Sequence, residues 1–537
     1  MTRFGASPDL PRLRGTDAQD SDLKTPLTPL ELVLRAFAVH PARTATQHGR
    51  QAQSYAELAG RTARLVTLLR DHGLTPGTHA LLVSPNTPDA LLAFHAVPLA
   101  GGVIVPLNPA FSDEALRFLA GHADPVVALV DTACLPRVGE RLAQLEIPVL
   151  EIGDASGLSA RLGGVLPAAL ELPAALDEDS PISINYTSGT TSDPKGVMVT
   201  HRNAFVNLSN LLYHLNLRPG SVYLHALPLA HGNGWGSAWA VTAAGGTHVT
   251  LTNEGPEAVR AALRGGAVTH LFASPAILTP LTDTAAPLHL SAPVRLLVAG
   301  TSPSPRLLGN LRAQGFEVLH GYGLTETNAV MTVNEGDHLT PQGHPMMYAG
   351  QLRVVSEDGG PVPADGFTPG EIVIRGNQVM KGYYKNRAAT RRALDGGWLH
   401  TGDLAVVHAD GRVDILDRAS DLLNIGGQSV SSAQIEAVLY RHPSVREAVV
   451  VAGHPAPGQT CAVAFVTLHP GAGVRGEELL RFCSPHLPEH ALPRRVHLVP
   501  ELPKTASGKV LKHVLRAQAG ENLAPERRAE PVRPTRR

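Results

Sequence analysis

The sequence predicts an α/β fold in two unequal parts: a large N-terminal domain of parallel and mixed sheets with helices, then a small α+β domain. Three observations predict it. The chain has 537 residues, too many for one hydrophobic core. Apolar, β-rich runs alternate with helical periodicity, as when strands are joined by helices. Near residue 416 this pattern gives way to a polar stretch and then to shorter elements.

Composition narrows the function classes. Hydrophobic residues make up 43% and charged residues 17%, as in soluble globular proteins. A net charge of −1 offers no basic face, so no nucleic-acid partner is expected. Cys134, Cys461 and Cys483 are far apart and odd in number. They suit a reducing compartment, expected to be the cytoplasm, and form no metal-ligand pattern. The opening segment MTRFGASPDLPRLRGTD has no apolar core and does not read as a signal peptide. The most apolar long stretch, 91–111, contains His95, Pro98, Gly101, Gly102 and Pro106, so no membrane span is expected. Residues 1–25 and 519–537 are polar and read as loose tails.

Within the large domain, 26–416, residues 182–186 read as a strand. Residues 294–299 (VRLLVA) read as a buried strand. Ser304 then suits a helix N-cap, Pro305 the first helical position and Gly315 the C-terminal stop. A strand at 317–320 follows and is expected to empty into a GYGLTE loop. Ligands of open parallel sheets sit beyond the carboxyl ends of strands, so both strand ends are site candidates. In the small domain, 417–518, Ser431 and Gln434 have capping-box spacing. Ile435, Val438 and Leu439 give that helix one apolar face, and two strands follow at 448–451 and 462–468. Neither short repeats nor heptads are found.

The chemistry concentrates in loops. Residues 186–197 read YTSGTTSDPKGV, with Thr187, Ser188, Gly189, Thr190, Thr191 and Lys195 following a strand. Backbone N–H groups, hydroxyls and one ammonium are what a polyphosphate needs. The order Lys195–Gly196 rules out a Walker A loop. Such loops are also ordinary turns, so this one alone leaves both readings open. Lysine usage adds a hint. Of 46 Lys plus Arg, the lysines are Lys24, Lys195, Lys381, Lys385, Lys504, Lys509 and Lys512. Where arginine serves nearly everywhere, a lysine can mark a need for a compact charge. Lys24, in the tail, shows that this does not hold for all.

The loop does not stand alone. GYGLTET (321–327), WLHTGD (398–403), DRASDLLNIGGQSVSSAQIE (417–436) and PKTASGK (503–509) follow it in order. Together they resemble the AMP-forming acyl-CoA synthetases, relatives of peptide-synthetase adenylation domains and luciferases. The resemblance spans roughly residues 26–517, and five ordered motifs are far more specific than one. It implies the adenylate-forming ligase fold, with a mobile C-terminal cap, and an acid–thiol ligase that uses ATP, Mg²⁺ and coenzyme A.

The resemblance also assigns residues. Thr187 to Thr191 and Lys195 would hold phosphates. Gly300, Thr301 and Ser302, with Gly321, Tyr322 and Gly323, would line the adenine and acyl site. Thr325 would touch the α-phosphate and Glu326 would bind Mg²⁺. Asp403 would take the ribose hydroxyls, with Arg418 nearby. Lys509 would neutralise charge as the acid attacks phosphorus. Ser420 falls at the hinge. Gly426 and Gly427 would meet the pantetheine arm, because glycines allow close approach. His231, in PLAHGNGW, would stand by the acyl pocket and thiol tunnel, with Trp235 as pocket wall or core packing. Outside the motif set, plainer readings hold: a turn aspartate for Asp403, an ion-pair residue for Arg418, a solvated lysine for Lys509 and a structural histidine for His231.

The sequence departs from the family pattern at Ser192, where glycine is common. If that position needs φ > 0, serine adds about 1 kcal/mol of strain. Ser420 replaces a charged hinge residue. Gln428 and Ser432 replace a common Glu and Pro, and AGTSPSP stands where GGAP-like residues are usual. No reacting group is lost. The expected substrate is a short- or medium-chain fatty acid or a related aryl acid, since GNQVMKGYYKN and IGGQSVSSAQIE look most like that branch. Homodimer formation stays open. The alternatives are a stand-alone adenylating enzyme that loads a carrier protein, and a nucleotide-binding regulator that lost turnover. No Ser-centred carrier unit follows residue 517, and Lys509, Glu326 and Asp403 argue against lost turnover. A serine hydrolase lacks its G-x-S-x-G elbow and a zinc enzyme its H-E-x-x-H.

Overall fold

The computed structural model describes residues 24–153, 157–187, 194–251, 255–282, 287–336, 341–456, 459–504 and 510–522. Two large sheets organise the N-terminal part. One has seven strands. Its parallel body runs Pro181–Tyr186, Val103–Leu107, His79–Val83, Pro125–Asp131, Val149–Ile152 in spatial order. Gly196–Thr200 adds antiparallel to Pro181–Tyr186, and Gly382–Tyr383 adds antiparallel to Gly196–Thr200. The second sheet has nine strands, six of them forming a parallel body that includes Val294–Val298 and Phe316–Leu324. Val103–Leu107 is buried at every position, the mark of a parallel strand covered on both faces. A four-stranded antiparallel sheet, Gln351–Val355, Gly370–Arg375, Leu399–Val407, Val413–Arg418, completes this part.

A buried polar chain crosses the large core. His95 Nδ1 lies 2.8 Å from the Leu91 carbonyl, so it must be the donor there. In the neutral ring, Nε2 is then left to accept from Thr242 Oγ1 at 3.0 Å. Thr242 Oγ1 in turn accepts from His248 Nε2, and His225 Nε2 donates to His248 Nδ1, both at 2.8 Å. Burial pushes His95 down to about 4 and His225 down to about 3, which keeps these rings neutral.

The small domain has a three-stranded sheet covered on both faces. Val445–Ala456 pairs antiparallel with Gln459–Leu468, which pairs parallel with Arg495–Leu498. Strand alternation divides the side chains. Ala448 and Val450 join Ile435, Leu439, Leu479 and Cys483 on one face. Val449, Val451 and Phe465 join Leu515 and Ala519 on the other.

Several expected elements are present. Ser304 accepts from the Leu307 N–H at the start of Pro305–Ala313, and Gly315 follows at φ 98°. Ser431 accepts from the Gln434 N–H before Ser432–Leu439. Two readings need correction. The segment expected to open as a loop after residue 320 stays in the strand Phe316–Leu324, because Ala329–Asn334 pairs back along it. The C-terminal tail begins later than 519. Lys512–Asn522 is one helix, and Ala519 is buried under the sheet because it completes that helix's apolar face.

Candidate active site

The segment expected to hold phosphates follows the strand Pro181–Tyr186 and precedes Gly196–Thr200. Its neck is closed by two bonds. The Thr187 N–H donates to the Lys195 carbonyl at 3.0 Å, and the Lys195 N–H donates to Thr187 Oγ1 at 3.4 Å. Ser188, Gly189, Thr190, Thr191 and Ser192 lie outside the described residues.

Gly321 and Gly323 stand where two backbones meet. A Cβ on Gly323 would lie 1.9 Å from the Ala329 carbonyl oxygen, and one on Gly321 2.7 Å from that of Thr332. Glycine is therefore required by strand pairing, whatever the ligand. Between them, the Tyr322 hydroxyl donates to Asp403 Oδ2 at 2.6 Å. Burial, then the Asp403 charge, pushes the Tyr322 phenol up, so it stays a donor. Asp403 is only 4% exposed. Its other oxygen meets Arg418 Nε at 3.3 Å, and the Arg418 side chain is 41% exposed.

Beyond Leu324 the chain turns through the 3₁₀ segment Thr325–Thr327, capped by Asn328 at φ 49°. Glu326 Oε1 accepts from the Tyr383 hydroxyl at 2.8 Å, and its carbonyl accepts from the Met380 N–H at 2.8 Å. The Lys195 ammonium lies 5.1 Å from the centroid of the same Tyr383 ring. The residues fit a Mg²⁺ ion that comes with a nucleotide. Among the described residues no three His, Cys, Asp or Glu gather to hold a metal. One carboxylate plus phosphate oxygens is the set Mg²⁺ favours.

The other expected residues fall in three places. Gly300, Thr301 and Ser302 are exposed, just past the strand Val294–Val298. His231 precedes a short turn in which Asn233, Gly234 and Trp235 all have φ near 60°, and its ring meets the edge of Trp235 at 5.4 Å. Trp235 is buried against Phe272 at 5.1 Å, so it packs in the core. Gly426 and Gly427 form the two-residue turn of the hairpin Leu423–Ile425 and Gln428–Val430, at φ 60° and 82°. They border a cavity of about 490 Å³ with Asn424, Pro455, Gln459, Thr460 and Arg494, all cap residues. Ser420 is exposed in the turn Ala419–Asp421. Lys509 lies outside the described residues; on either side of it the Leu511 N–H donates to the Pro503 carbonyl at 2.8 Å.

Two groupings therefore form: Lys195 and Glu326 gathered by Tyr383, with Thr187 bonded to the Lys195 backbone, and Tyr322, Asp403 and Arg418. Sequence reasoning missed Tyr383. Nothing in the KGYYKN spacing marks it, because its partners are 57 and 188 residues away along the chain.

A Ser/Thr/Gly-rich segment between two strands, a carboxylate held by a tyrosine hydroxyl and a buried aspartate, all ahead of a smaller C-terminal domain, are the arrangement expected of an adenylate-forming ligase. The AMP-binding enzyme family matches residues 33–384, and the AMP-binding enzyme C-terminal domain matches 434–509. An acetate–CoA ligase of Humulus lupulus is 36% identical, over 93% of this chain and 95% of its own. A peroxisomal acetate/butyrate–CoA ligase of Arabidopsis thaliana is also 36% identical, with the same coverage. Among solved structures, ATP-bound MatB from Rhodopseudomonas palustris superposes with a TM-score of 0.84 at 28% identity, over 92% of this chain and 99% of its own. This chain belongs to the AMP-binding enzyme family. It is an AMP-forming acid–thiol ligase, working with ATP, Mg²⁺ and coenzyme A. Among the described residues no helix is long and apolar enough to cross a membrane.

Proposed function

We propose that the acid is a short- or medium-chain fatty acid and that free coenzyme A is the acceptor. The acetate and butyrate named for the two plant ligases support the acid class. A related aryl acid is the second reading. Asp403 carries the assignment of the site. A carboxylate this buried, with one oxygen fixed by Tyr322 and the other under a half-exposed arginine, is preset to accept hydroxyls.

The roles follow from the chemistry. Ribose hydroxyls donate to Asp403, joining or displacing Arg418. Lys195 and Thr187, with Ser188 to Thr191, hold the phosphates. Glu326 would hold the Mg²⁺, which would supply charge neutralisation for the phosphates. Thr325 contacts the α-phosphate. A carboxylate oxygen of the acid attacks the α-phosphorus, the bond to pyrophosphate breaks, and Lys509 offsets the growing charge. The cap then turns at Ser420 and brings Gly426 and Gly427 to the pantetheine arm. The thiol loses its proton, its sulfur attacks the mixed anhydride beside His231, and AMP leaves. The cytoplasm and a homodimer remain part of this proposal.

The test is a release assay. Pyrophosphate and AMP release would be measured over acetate to octanoate and a set of aryl acids, with free coenzyme A or a holo-carrier protein. AMP release with coenzyme A on acids of a few carbons is expected. Turnover with the carrier protein alone would replace this reading, and no coenzyme A-dependent AMP release with any acid would end it.

A further inference from the structure

Tyr383 is the point where the metal carboxylate and the phosphate lysine meet. Its backbone is fixed on the strand that leaves the phosphate loop, because Tyr383 pairs with Val197, two residues after Lys195. The flanking N–H groups of Lys381 and Tyr384 donate to the carbonyls of Met198 and Gly196 at 3.0 and 2.7 Å. The Tyr383 N–H donates to Thr390 Oγ1 at 2.9 Å. A Cβ on the preceding Gly382 would lie 2.7 Å from Thr390 Cγ2, so glycine is what lets this strand pass so close to the helix Arg387–Ala393.

From that fixed base the side chain does two things. The hydroxyl donates to Glu326 Oε1, and the ring face carries the Lys195 ammonium. Tyr383 is 8% exposed. A hydroxyl on one carboxylate oxygen fixes the plane of the group and leaves the second oxygen to a cation. Among the described residues no carboxylate is ion-paired with Lys195, so the ring is its charge partner there.

We propose that Tyr383 is a positioning residue that locks Glu326 and Lys195 into one geometry, so that Mg²⁺ and the phosphates are received together. This rests on the reading that Glu326 meets the metal and Lys195 the phosphates. The hydroxyl serves the metal and the ring serves the phosphates, so the two can be separated by substitution. A buried tyrosine needs some hydrogen-bond partner in any case. A purely structural Tyr383 would change stability but not the metal term.

The test reads binding. Mn²⁺ would stand in for Mg²⁺ and be titrated by electron paramagnetic resonance with a non-hydrolysable ATP analogue. Affinity for the analogue without metal would be measured by calorimetry. Tyr383→Phe keeps the ring and should weaken Mn²⁺ about tenfold, the usual effect of losing such a supporting bond. Its metal-free affinity for the analogue should match the wild type. Tyr383→Leu should in addition weaken metal-free binding about threefold, as for a lost cation–π contact. In a Glu326→Gln background, Tyr383→Phe should not weaken Mn²⁺ further. Thermal melting of each variant confirms folding. Unchanged Mn²⁺ affinity in folded Tyr383→Phe would overturn the inference, as would an equal loss with and without metal. A wild-type chain that fails to bind the analogue at all would instead overturn the functional reading beneath it.

Discussion

Two aspartates flank Ser420, and they hold opposite ends of the proposed pivot. Asp421 belongs wholly to the cap. Its carboxylate meets Arg516 at 2.5 Å and Lys512 at 3.8 Å, both on the last helix. Lys512 also donates to Ser432 Oγ at 2.7 Å and meets Glu436 at 3.4 Å. Burial opposes the Lys512 charge, but Glu436, Asp417 and Asp421 outweigh it and hold the ammonium protonated. Asp417 instead spans the pivot. Its backbone lies in the strand Val413–Arg418, which pairs with Leu399–Val407 of the large domain, so the boundary expected at 417 falls inside this strand. Its Oδ2 accepts from Ser432 N–H at 2.8 Å and Ser432 Oγ at 2.6 Å, at the start of the cap helix Ser432–Leu439. A turn at Ser420 would therefore leave the Asp421 network intact and break the bonds of Asp417. Asp421 stabilises a part, whereas Asp417 stabilises an arrangement of parts.

That difference can be broken in several ways. The largest effect is expected at Lys509, the group proposed to act in adenylation. Lys509→Ala should cut adenylate formation by about a hundredfold to a thousandfold, yet largely spare thioester formation from supplied acyl-AMP. Stopped-flow pyrophosphate release and thioester assays would read the two halves, and equal loss of both would refute the role. Next is the Asp421 side of the comparison. Lys512→Met leaves carboxylates buried without their cation and should cost about 3–5 kcal/mol in urea unfolding. Both half-reactions should fall together.

Asp417→Ala should act differently. It removes a cap-like contact, about 1 kcal/mol, and releases the present orientation. In that orientation the Gly426–Gly427 turn is exposed, and the cavity beside it is lined by cap residues. Its release should favour thioester formation over adenylation by about fivefold. An unchanged ratio of the two rates would place the pivot elsewhere.

Acid should separate the domains as well. His95 and His201 are pushed down to about 4, and His225 to about 3, each mainly by burial. Their folded values lie below the unfolded one, so the unfolded chain binds more protons as pH falls from about 6.5 towards 4. Stability from these rings is complete above that window and lost within it, at about 1.4 kcal/mol per pH unit for each ring. Trp235, Trp239 and Trp398 all precede the cap, so tryptophan fluorescence follows the large domain. Its urea midpoint should fall between pH 7.5 and 5.5, and a flat midpoint would contradict the buried neutral chain. The smallest effect is expected for Arg418→Ala. Arg418 is half-exposed and Asp403 keeps its bond from Tyr322, so the loss should cost about 1 kcal/mol in the same unfolding assay.

The sequence showed elements whose logic is local. Ser304, Pro305 and Gly315 bracket a helix through their own backbone preferences, and the strand at 294–298 is marked by its apolar run. It misled where pairing was distant. GYGL reads as a loop because of its glycines, but those glycines are what let Ala329–Asn334 pair so closely. Asp403 and Glu326 stood out through ordered motifs, and the structure sets each against a tyrosine hydroxyl. Tyr383 was not, because a tyrosine in a short edge strand gains its role only when the sheet brings Lys195 beside it. The chain of His95, Thr242, His248 and His225 was hidden for the same reason, since its members are scattered along the sequence and meet only in the packed core.

The most direct test is a single-turnover experiment with ATP labelled at the α-phosphate, excess enzyme and butyrate. Without coenzyme A, labelled acyl-AMP should accumulate on the enzyme and pyrophosphate should be released. Adding coenzyme A should then convert that label to AMP as butyryl-CoA appears. Free AMP released before coenzyme A is added, or no acyl-AMP with any acid tried, would contradict a two-step acid–thiol ligase.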